Sequence, residues 1–458
     1  MTRLQAPPLA TLRIDKFTWE NILSSESSAI TSGSYISVFD PEMASLVKLE
    51  KIRQQQTINL IPSENYASPL ATALEGGVFT NKNAEGYPGR RYVAGCEHAD
   101  AVEALAISRL KSIFGCDHAN VQGMSATIAN VALLQAVLEP GDTILSMALA
   151  DGGHLSHGAK FHSSGKLYKI INYGVNEKTE TIDLDTVEKL AKEHKPKIII
   201  CGASSYPRNI DFAAFGEIAR SVSSLLWADI AHTVGLIVAG IVPSPIPHAD
   251  FVTSSTHKTW RGPRGGSIIL CRSEWAARID RAIFPGIQGA PKMDLIAARA
   301  VFFKETMAPE FKLYGEQMIK NAKSLAEGLR EGGVRLVTGG TDTHLVLADV
   351  RSLIASGAKA QDLLETLGII TNRNPIPFDP APAFDGSGLR LGSPAMTTRG
   401  MMEYEFHEIG GLIARSLRNH DSQATQNKIR DRVAELVSGY PLFAEKWQPQ
   451  QIRLSSPI

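Results

Sequence analysis

Between residues 142 and 271, short aliphatic or β-branched runs alternate with stretches long enough for a helix: "DTILSM", "KIIICG", "LLWAD", "DFVTSS" and "GSIILC". Runs this apolar read as strands buried on both faces, and the segments between them are long enough for the crossovers that parallel strands require. The spacing therefore predicts a mainly parallel sheet covered by helices on either side. Upstream, "DPEMASLVKLEKIRQQQ" is helical in character. "HADAVEALAISRLKSIFG" spaces Val102, Leu105, Leu110, Ile113 and Phe114 along one helix that Gly115 stops, and "SATIANVALLQAVLEPGD" predicts another, ending at a Pro-Gly turn. After the long helical stretch "YGEQMIKNAKSLAEGLREGG" a smaller mixed unit is expected. It has strands near "HLVLAD" and "GLRLGS" and helices at "AKAQDLLETLG" and "MEYEFHEIGGLIARSLR". No internal repeat is visible.

At 458 residues the chain exceeds the roughly 250–300 at which one core stops growing, so two packed domains are expected. The pattern suggests a flexible tail over 1–39, an N-terminal arm and large domain over 40–312, and a small domain over 313–458. Lys and Arg total 47, as do Asp and Glu, and this balance argues against a nucleic-acid partner. The apolar stretch "LLWADIAHTVGLIVAGIV" contains Asp229, His232 and two glycines, which a bilayer would penalise, so it reads as a buried strand followed by a loop. The N-terminus lacks a secretory apolar core, and Asp15 and Glu20 argue against a transit peptide. Cys96, Cys116, Cys201 and Cys271 show neither CxxC pairing nor metal-ligand spacing with histidine. They read as buried thiols in a reducing compartment, which makes a soluble cytoplasmic protein without a bound metal the expectation.

In "TSSTHKTWRGPRGG", Lys258 stands just past a predicted strand, at the edge where open α/β sheets place ligands. A lone lysine there is ordinarily a solvated loop residue. As an imine-forming amine holding pyridoxal phosphate it needs partners. A carboxylate must face the ring nitrogen, and Asp229 ends the strand "LLWAD". Small residues and hydroxyls at a helix start suit a phosphate, and "GMSATIAN" offers Ser125, Ala126 and Thr127. A ring must cover the cofactor, and His154 in "DGGHLSHG" is placed for it. A bidentate arginine suits a substrate carboxylate, and Arg390 in "SGLRLGSPA" is a candidate. Each has an ordinary alternative: a strand cap, a plain helix start, a core histidine, a surface ion pair. Their joint fall at strand ends and helix starts favours the site.

The stretches "LIPSENYASP", "TNKNAEGYPGRRY", "GGHLSHG", "DIAHTVGL", "THKTWRGPRGG", "GGTDTHLVL" and "LRLGSPAMTTRG" resemble serine hydroxymethyltransferases, in order from about residue 40 to 440. The resemblance implies an aspartate aminotransferase-like α/β chain of fold type I, with a three-layer large domain and a smaller α+β C-terminal domain. It implies Lys258 as the imine lysine preceded by His257, Asp229 at the ring nitrogen, His154 stacked on the ring, and Ser125, Ala126 and Thr127 on the phosphate. Ser204 and His232 would border the ring hydroxyl, and Arg390 with Ser63 would grip the substrate carboxylate. Gly289 would close the phosphate site of a neighbouring subunit, which makes a homodimer, or a tetramer, with shared active sites the expected assembly. Glu85 matches the family's acid/base carboxylate, and Tyr92, Leu149, Leu155 and Asn374 match its folate contacts. The implied reaction moves a hydroxymethyl group between serine and tetrahydrofolate in one-carbon metabolism.

The chain departs from the family pattern at Asn83 and Val93, where tyrosines are usual. It departs again at "MSAT" in the phosphate loop and at Asp151, where a histidine is usual. Asn83 and Val93 would enlarge the amino acid pocket, so the substrate is expected to be serine or an α-substituted serine such as α-methylserine. A folate-independent aldolase or transaldolase on β-hydroxy amino acids is the competing reading. A non-catalytic paralogue is disfavoured by the retained Lys258, Asp229, His154 and Glu85.

Overall fold

The computed structural model describes residues 33–442 apart from residue 383; of the tail expected over 1–39, residues 1–32 lie outside them. Two units are distinguished, dividing after Gln55. The first holds a short helix, Gly33–Phe39, in residues that the sequence pattern had counted with the tail. Nearly all of α1 (Pro41–Gln56) follows it and buries none of its side chains. Met43, Leu46, Val47, Leu49 and Ile52 are all exposed.

The second unit contains two main sheets. The larger has seven strands: β1 (His118–Asn120), β2 (Thr143–Met147), β3 (Lys169–Tyr173), β4 (Ile198–Cys201), β5 (Leu225–Asp229), β6 (Phe251–Ser255) and β7 (Ser267–Cys271). Their order is β1-β7-β6-β5-β4-β2-β3, and only β7 runs antiparallel to its neighbours. Alternate residues enter two different cores. Leu145, Ile199, Leu226, Val252 and Ile268 join one, while Ile144, Ile198, Trp227, Phe251 and Ile269 join the other. Burial on both faces explains why these runs lack polar alternation, and each such side chain contributes about 1.5–3 kcal/mol.

Helix α2 (Glu97–Phe114) ends at Gly115, whose φ of 65° is the left-handed value a C-terminal glycine supplies. Ser125 caps α3 (Ala126–Val137), its hydroxyl accepting from the Ile128 amide. The stretch read as strand then loop is corrected: after β5 the chain forms a short helix, α4 (Val234–Val238). Its β-branched ends disguise it in sequence, and Gly235 makes it possible, because a Cβ there would lie 2.2 Å from the Thr259 carbonyl oxygen of the lysine loop.

Beyond α5 (Met293–Thr306), α6 (Glu310–Glu331) leads into the smaller sheet, and the division placed after residue 312 falls in its first turn. The smaller sheet is antiparallel throughout. It comprises β8 (Arg335–Leu336), β9 (Leu345–Asp349), β10 (Asn372–Asn374) and β11 (Gly388–Gly392), in the order β8-β9-β11-β10. Its own core also takes in α7 (Gly357–Thr366), α8 (Glu403–Arg418) and α9 (Gln423–Ser438), the last unanticipated from sequence. Ile58 and Asn59 pair in parallel with Ile369 and Ile370. No helix among the described residues is long and apolar enough to cross a membrane.

Candidate active site

The parallel strands end together, and their C-terminal loops carry the chemistry. Asp229 closes β5 and is buried. Its Oδ1 accepts from the Ala231 amide at 3.0 Å, and its Oδ2 accepts from Asn130 Nδ2 at 2.8 Å and from His157 Nε2 at 2.9 Å. Burial pushes this carboxyl up, but the His157 hydrogen bond and charge outweigh it and hold Asp229 well below the usual carboxylate range. Lys258, in the loop after β6, is half-buried. Burial lowers its amine to about 8 against the opposing pull of Asp229, with Arg390 and Arg264 adding to the fall. Its backbone carbonyl accepts from Asn65 Nδ2 at 2.9 Å, and the same amide nitrogen reaches Tyr314 Oη.

His154 follows β2, with its ring 5.5 Å from that of His157. Burial, then the charge of His157, lowers it to about 4. His232 and His344 stack with ring centroids 5.5 Å apart and nitrogens 3.4 Å apart. Burial drives His232 well below its ordinary value and His344 to about 3. His257 is lowered to about 3, also by burial, and its Nδ1 is buried without a partner among the described residues.

Arg390 on β11 reaches back to the large sheet: Nη1 donates to the Ser204 carbonyl at 2.7 Å and to its hydroxyl at 3.0 Å, and Nε donates to Asn372 Oδ1. Burial lowers it to about 10. Ser204 thus meets the arginine, in addition to the ring-hydroxyl role expected for it. Ser63 lies between Pro62, which packs on Gly392, and Asn65, which supports the lysine loop. Asn374 shares β10 with Asn372, two residues on and so on the same face. Leu149 and Leu155 flank His154 and are exposed, Leu149 lining a cavity of about 300 Å³ with His154 and His157.

Ser125, Ala126 and Thr127, expected at the phosphate, stand one turn before Asn130, which contacts Asp229. No acceptor for the Ala126 and Thr127 amides is found among the described residues, as at any helix start. At Gly123 a Cβ would lie 2.2 Å from Ser267 Oγ, so the backbone leading to this helix is held close to β7.

A second group stands apart. Asn83, Glu85 and Tyr92 belong to a hairpin clamped by Arg91, which donates to the Ala84 and Gly86 carbonyls and pairs with Asp100 and Glu103. Tyr92 is 77% exposed. Glu85 is half-buried, and its amide donates to Asn83 Oδ1 at 3.1 Å. Val93, expected in the amino acid pocket, packs against the large core, where its aliphatic side chain is better accommodated than in solvent. Gly289 has nothing within 4 Å of where a Cβ would stand. Among the described residues, none of these is hydrogen-bonded or ion-paired to Lys258.

Residues 36–413 match the family model described as serine hydroxymethyltransferase. The chain belongs to the serine hydroxymethyltransferase family. A serine hydroxymethyltransferase of Myxococcus xanthus is 51% identical over 407 residues, covering 89% of this chain and 97% of that one. Another, of Coprothermobacter proteolyticus, is 53% identical over 404 residues, covering 88% and 97%. Serine hydroxymethyltransferases are fold type I enzymes that depend on pyridoxal phosphate and use tetrahydrofolate as co-substrate. Four residues of the cluster went unassigned in sequence: His157, His344, Asn130 and Asn65. The first two stand inside the quoted "GGHLSHG" and "GGTDTHLVL". Asn130 is four residues past Ala126 on the same helix face, a spacing that could have found it.

Proposed function

We propose that this chain interconverts serine, or a serine carrying an α-substituent, with the corresponding amino acid lacking the hydroxymethyl group, the one-carbon unit passing to or from tetrahydrofolate. The observation that carries the reading is the half-buried Lys258 gathered into one cluster with Asp229, His154 and Arg390, its amine lowered to about 8. The residues present fit pyridoxal phosphate. Asp229 is held anionic for a protonated ring nitrogen, Lys258 supplies an amine that loses its proton more readily than an ordinary lysine, and the capped start of α3 offers two amides without acceptors to the phosphate. When bound, the cofactor supplies an electron sink for the pair left on the α-carbon as the hydroxymethyl carbon departs.

Asn130, His157 and the Ala231 amide fix the Asp229 carboxylate so that its charge is in place before reaction, which avoids reorganisation. Arg390, oriented by Ser204 and Asn372, grips the substrate carboxylate with Ser63. Leu149, Leu155 and Asn374 form the folate approach. Glu85 moves the proton of the departing hydroxymethyl group, and we place it, with Tyr92 and Gly289, in the site of a second copy. The exposure of Tyr92 and the open space at Gly289 support a homodimer. Four free thiols, three of them buried, support a cytoplasmic setting.

Borohydride reduction of the yellow holoenzyme followed by peptide mapping is expected to place the pyridoxyl group on Lys258; an unlabelled Lys258 in loaded protein would refute the assignment. Products from serine, α-methylserine and threonine, with and without tetrahydrofolate, separate the transferase from an aldolase. Asn83 bears on the acceptor, since a short amide replaces a phenol and Val93 turns its side chain to the core. A pocket distinguishes one methyl group by about 1–3 kcal/mol. Relative kcat/KM for α-methylserine over serine is therefore expected to fall about tenfold or more in Asn83→Tyr/Val93→Tyr. An unchanged ratio would remove this pair from the account of specificity.

A further inference from the structure

We propose that Ser156 and Asn130 are positioning residues that hold His154 as the neutral tautomer with its proton on Nε2. Four hydrogen bonds carry the inference. The Ser156 backbone amide donates to His154 Nδ1 at 3.2 Å, and an N–H can only donate, so Nδ1 carries no proton. The Ser156 hydroxyl lies 2.7 Å from the same nitrogen and must donate to it as well. The hydroxyl's remaining contact agrees with that direction, since Asn130 Nδ2 donates to the Ser156 oxygen at 2.9 Å and leaves its proton for His154. Asn130 is oriented in turn by Asp229, whose carboxylate accepts the second proton of the same amide at 2.8 Å. The chain Asp229, Asn130, Ser156, His154 thus has one consistent set of donors, and it starts from the charge of a carboxylate.

The spacing of the ligand atoms of His154, His157 and Asp229, all within 4.8 Å, would also suit a cation. In this structure those atoms are spent on each other and on Ser156, which organises the cluster as a hydrogen-bond chain.

The consequence rests on the reading of His154 as the ring covering the cofactor. A protonated imidazole stacked on a protonated pyridine ring would set two like charges face to face, whereas a neutral one does not. Two donors aimed at Nδ1 oppose protonation there, and burial lowers His154 to about 4 in accord. The charged and titratable groups facing it are His157, Asp229, Lys258, His162 and His232. Asp229 alone favours the charged ring. Removing the hydroxyl leaves one weak donor against that pull.

The test uses holoenzyme labelled with ¹⁵N-histidine, as wild type, Ser156→Ala and Ser156→Thr. It follows the His154 nitrogen signals from pH 4 to 8 and the cofactor retained after gel filtration at pH 5.5 and 8. In the wild type Nδ1 is expected to stay unprotonated down to about pH 4. In Ser156→Ala the midpoint is expected to rise by about one unit or more, toward the ordinary imidazole value of roughly 6.5. Retained cofactor should then drop about threefold or more at pH 5.5 relative to pH 8, the side on which the ring is charged. Ser156→Thr, which keeps the hydroxyl, is expected to restore both. A proton on Nδ1 in the wild type overturns the proposal whether or not the variants fold, and so does a wild-type midpoint in Ser156→Ala. Borohydride labelling of wild-type Lys258 reports on the cofactor assignment separately, so a failure there is not confused with a failure of the tautomer.

Discussion

Asp229→Asn is expected to lower turnover with serine and tetrahydrofolate by about 10²–10³-fold, the scale on which enzymes lose a preorganised electrostatic partner of the reacting system. The substitution keeps size and removes charge. It also disturbs the surroundings, because Oδ2 accepts from both Asn130 and His157, and an amide nitrogen turned that way would face two donors. The carboxamide must therefore point its oxygen at Asn130 and His157, leaving an NH₂ against the Ala231 amide and no charge to serve the ring nitrogen. Burial without the anion also removes the attraction that opposes the lowering of Lys258. Stopped-flow turnover and the absorbance of bound cofactor read the two consequences. A variant within tenfold of the wild type would show that Asp229 does not serve the ring. Since Asp229 is held well below the carboxylate range, wild-type activity should show no acid limb from it at ordinary pH. Lys258 acts oppositely: its amine is neutral above about 8, so capture of cofactor by stripped protein should rise through that pH and then level off.

Glu85→Gln is expected to leave the bound cofactor and its spectrum unchanged while slowing folate-dependent transfer by about 10²-fold or more, the usual contribution of a positioned acid or base. The hairpin that carries Glu85 does not depend on its charge. It is held by Arg91 through Asp100, Glu103 and two carbonyls, and by the Glu85 backbone amide on Asn83. The side chain can thus lose its proton-transfer capacity with little structural cost. Single-turnover transfer to tetrahydrofolate is the measurement, and wild-type rates would reduce Glu85 to a turn residue. Mixing Glu85→Gln with Lys258→Ala offers a sharper reading. If each copy lends its hairpin to the other, the mixed dimer has one site with both defects and one with neither, so activity returns.

What could be read from sequence follows from where physical constraint is local. The five central strands are legible because both faces are buried and every residue in them must be apolar or paired. The two strands of the large sheet that were missed, His118–Asn120 and Lys169–Tyr173, lie at its edges, where one side lacks a partner strand and the pattern weakens. The helix Val234–Val238 is hidden because its β-branched residues favour strand locally, and only the close approach of Gly235 to Thr259 decides otherwise. In the site, Lys258, Asp229 and His154 stand at strand ends and could be named one by one. His157 and His344 could not, since their meaning lies in a carboxylate or ring that the chain brings near from 72 and 112 residues away, while Asn130 had only its helical spacing from Ala126 to mark it. The Ser204–Arg390 bond joins the two sheets across 186 residues and has no local trace.

Asn65 bears on how the protein is made. It touches the lysine loop 193 residues later and Tyr314 249 residues later, and its Oδ1 accepts from Thr398, 333 residues on. A ribosome adds about 5–20 residues per second, so the segment that supports Lys258 waits on the order of tens of seconds for its last contact. Once residue 271 has emerged the large sheet has all its strands, yet Asn65 still has no Thr398 to hold it. Cofactor capture is then a late event of biosynthesis, completed after the small sheet has emerged. A nascent chain stalled before Thr398 should bind pyridoxal phosphate poorly even though every residue of its lysine loop is already present.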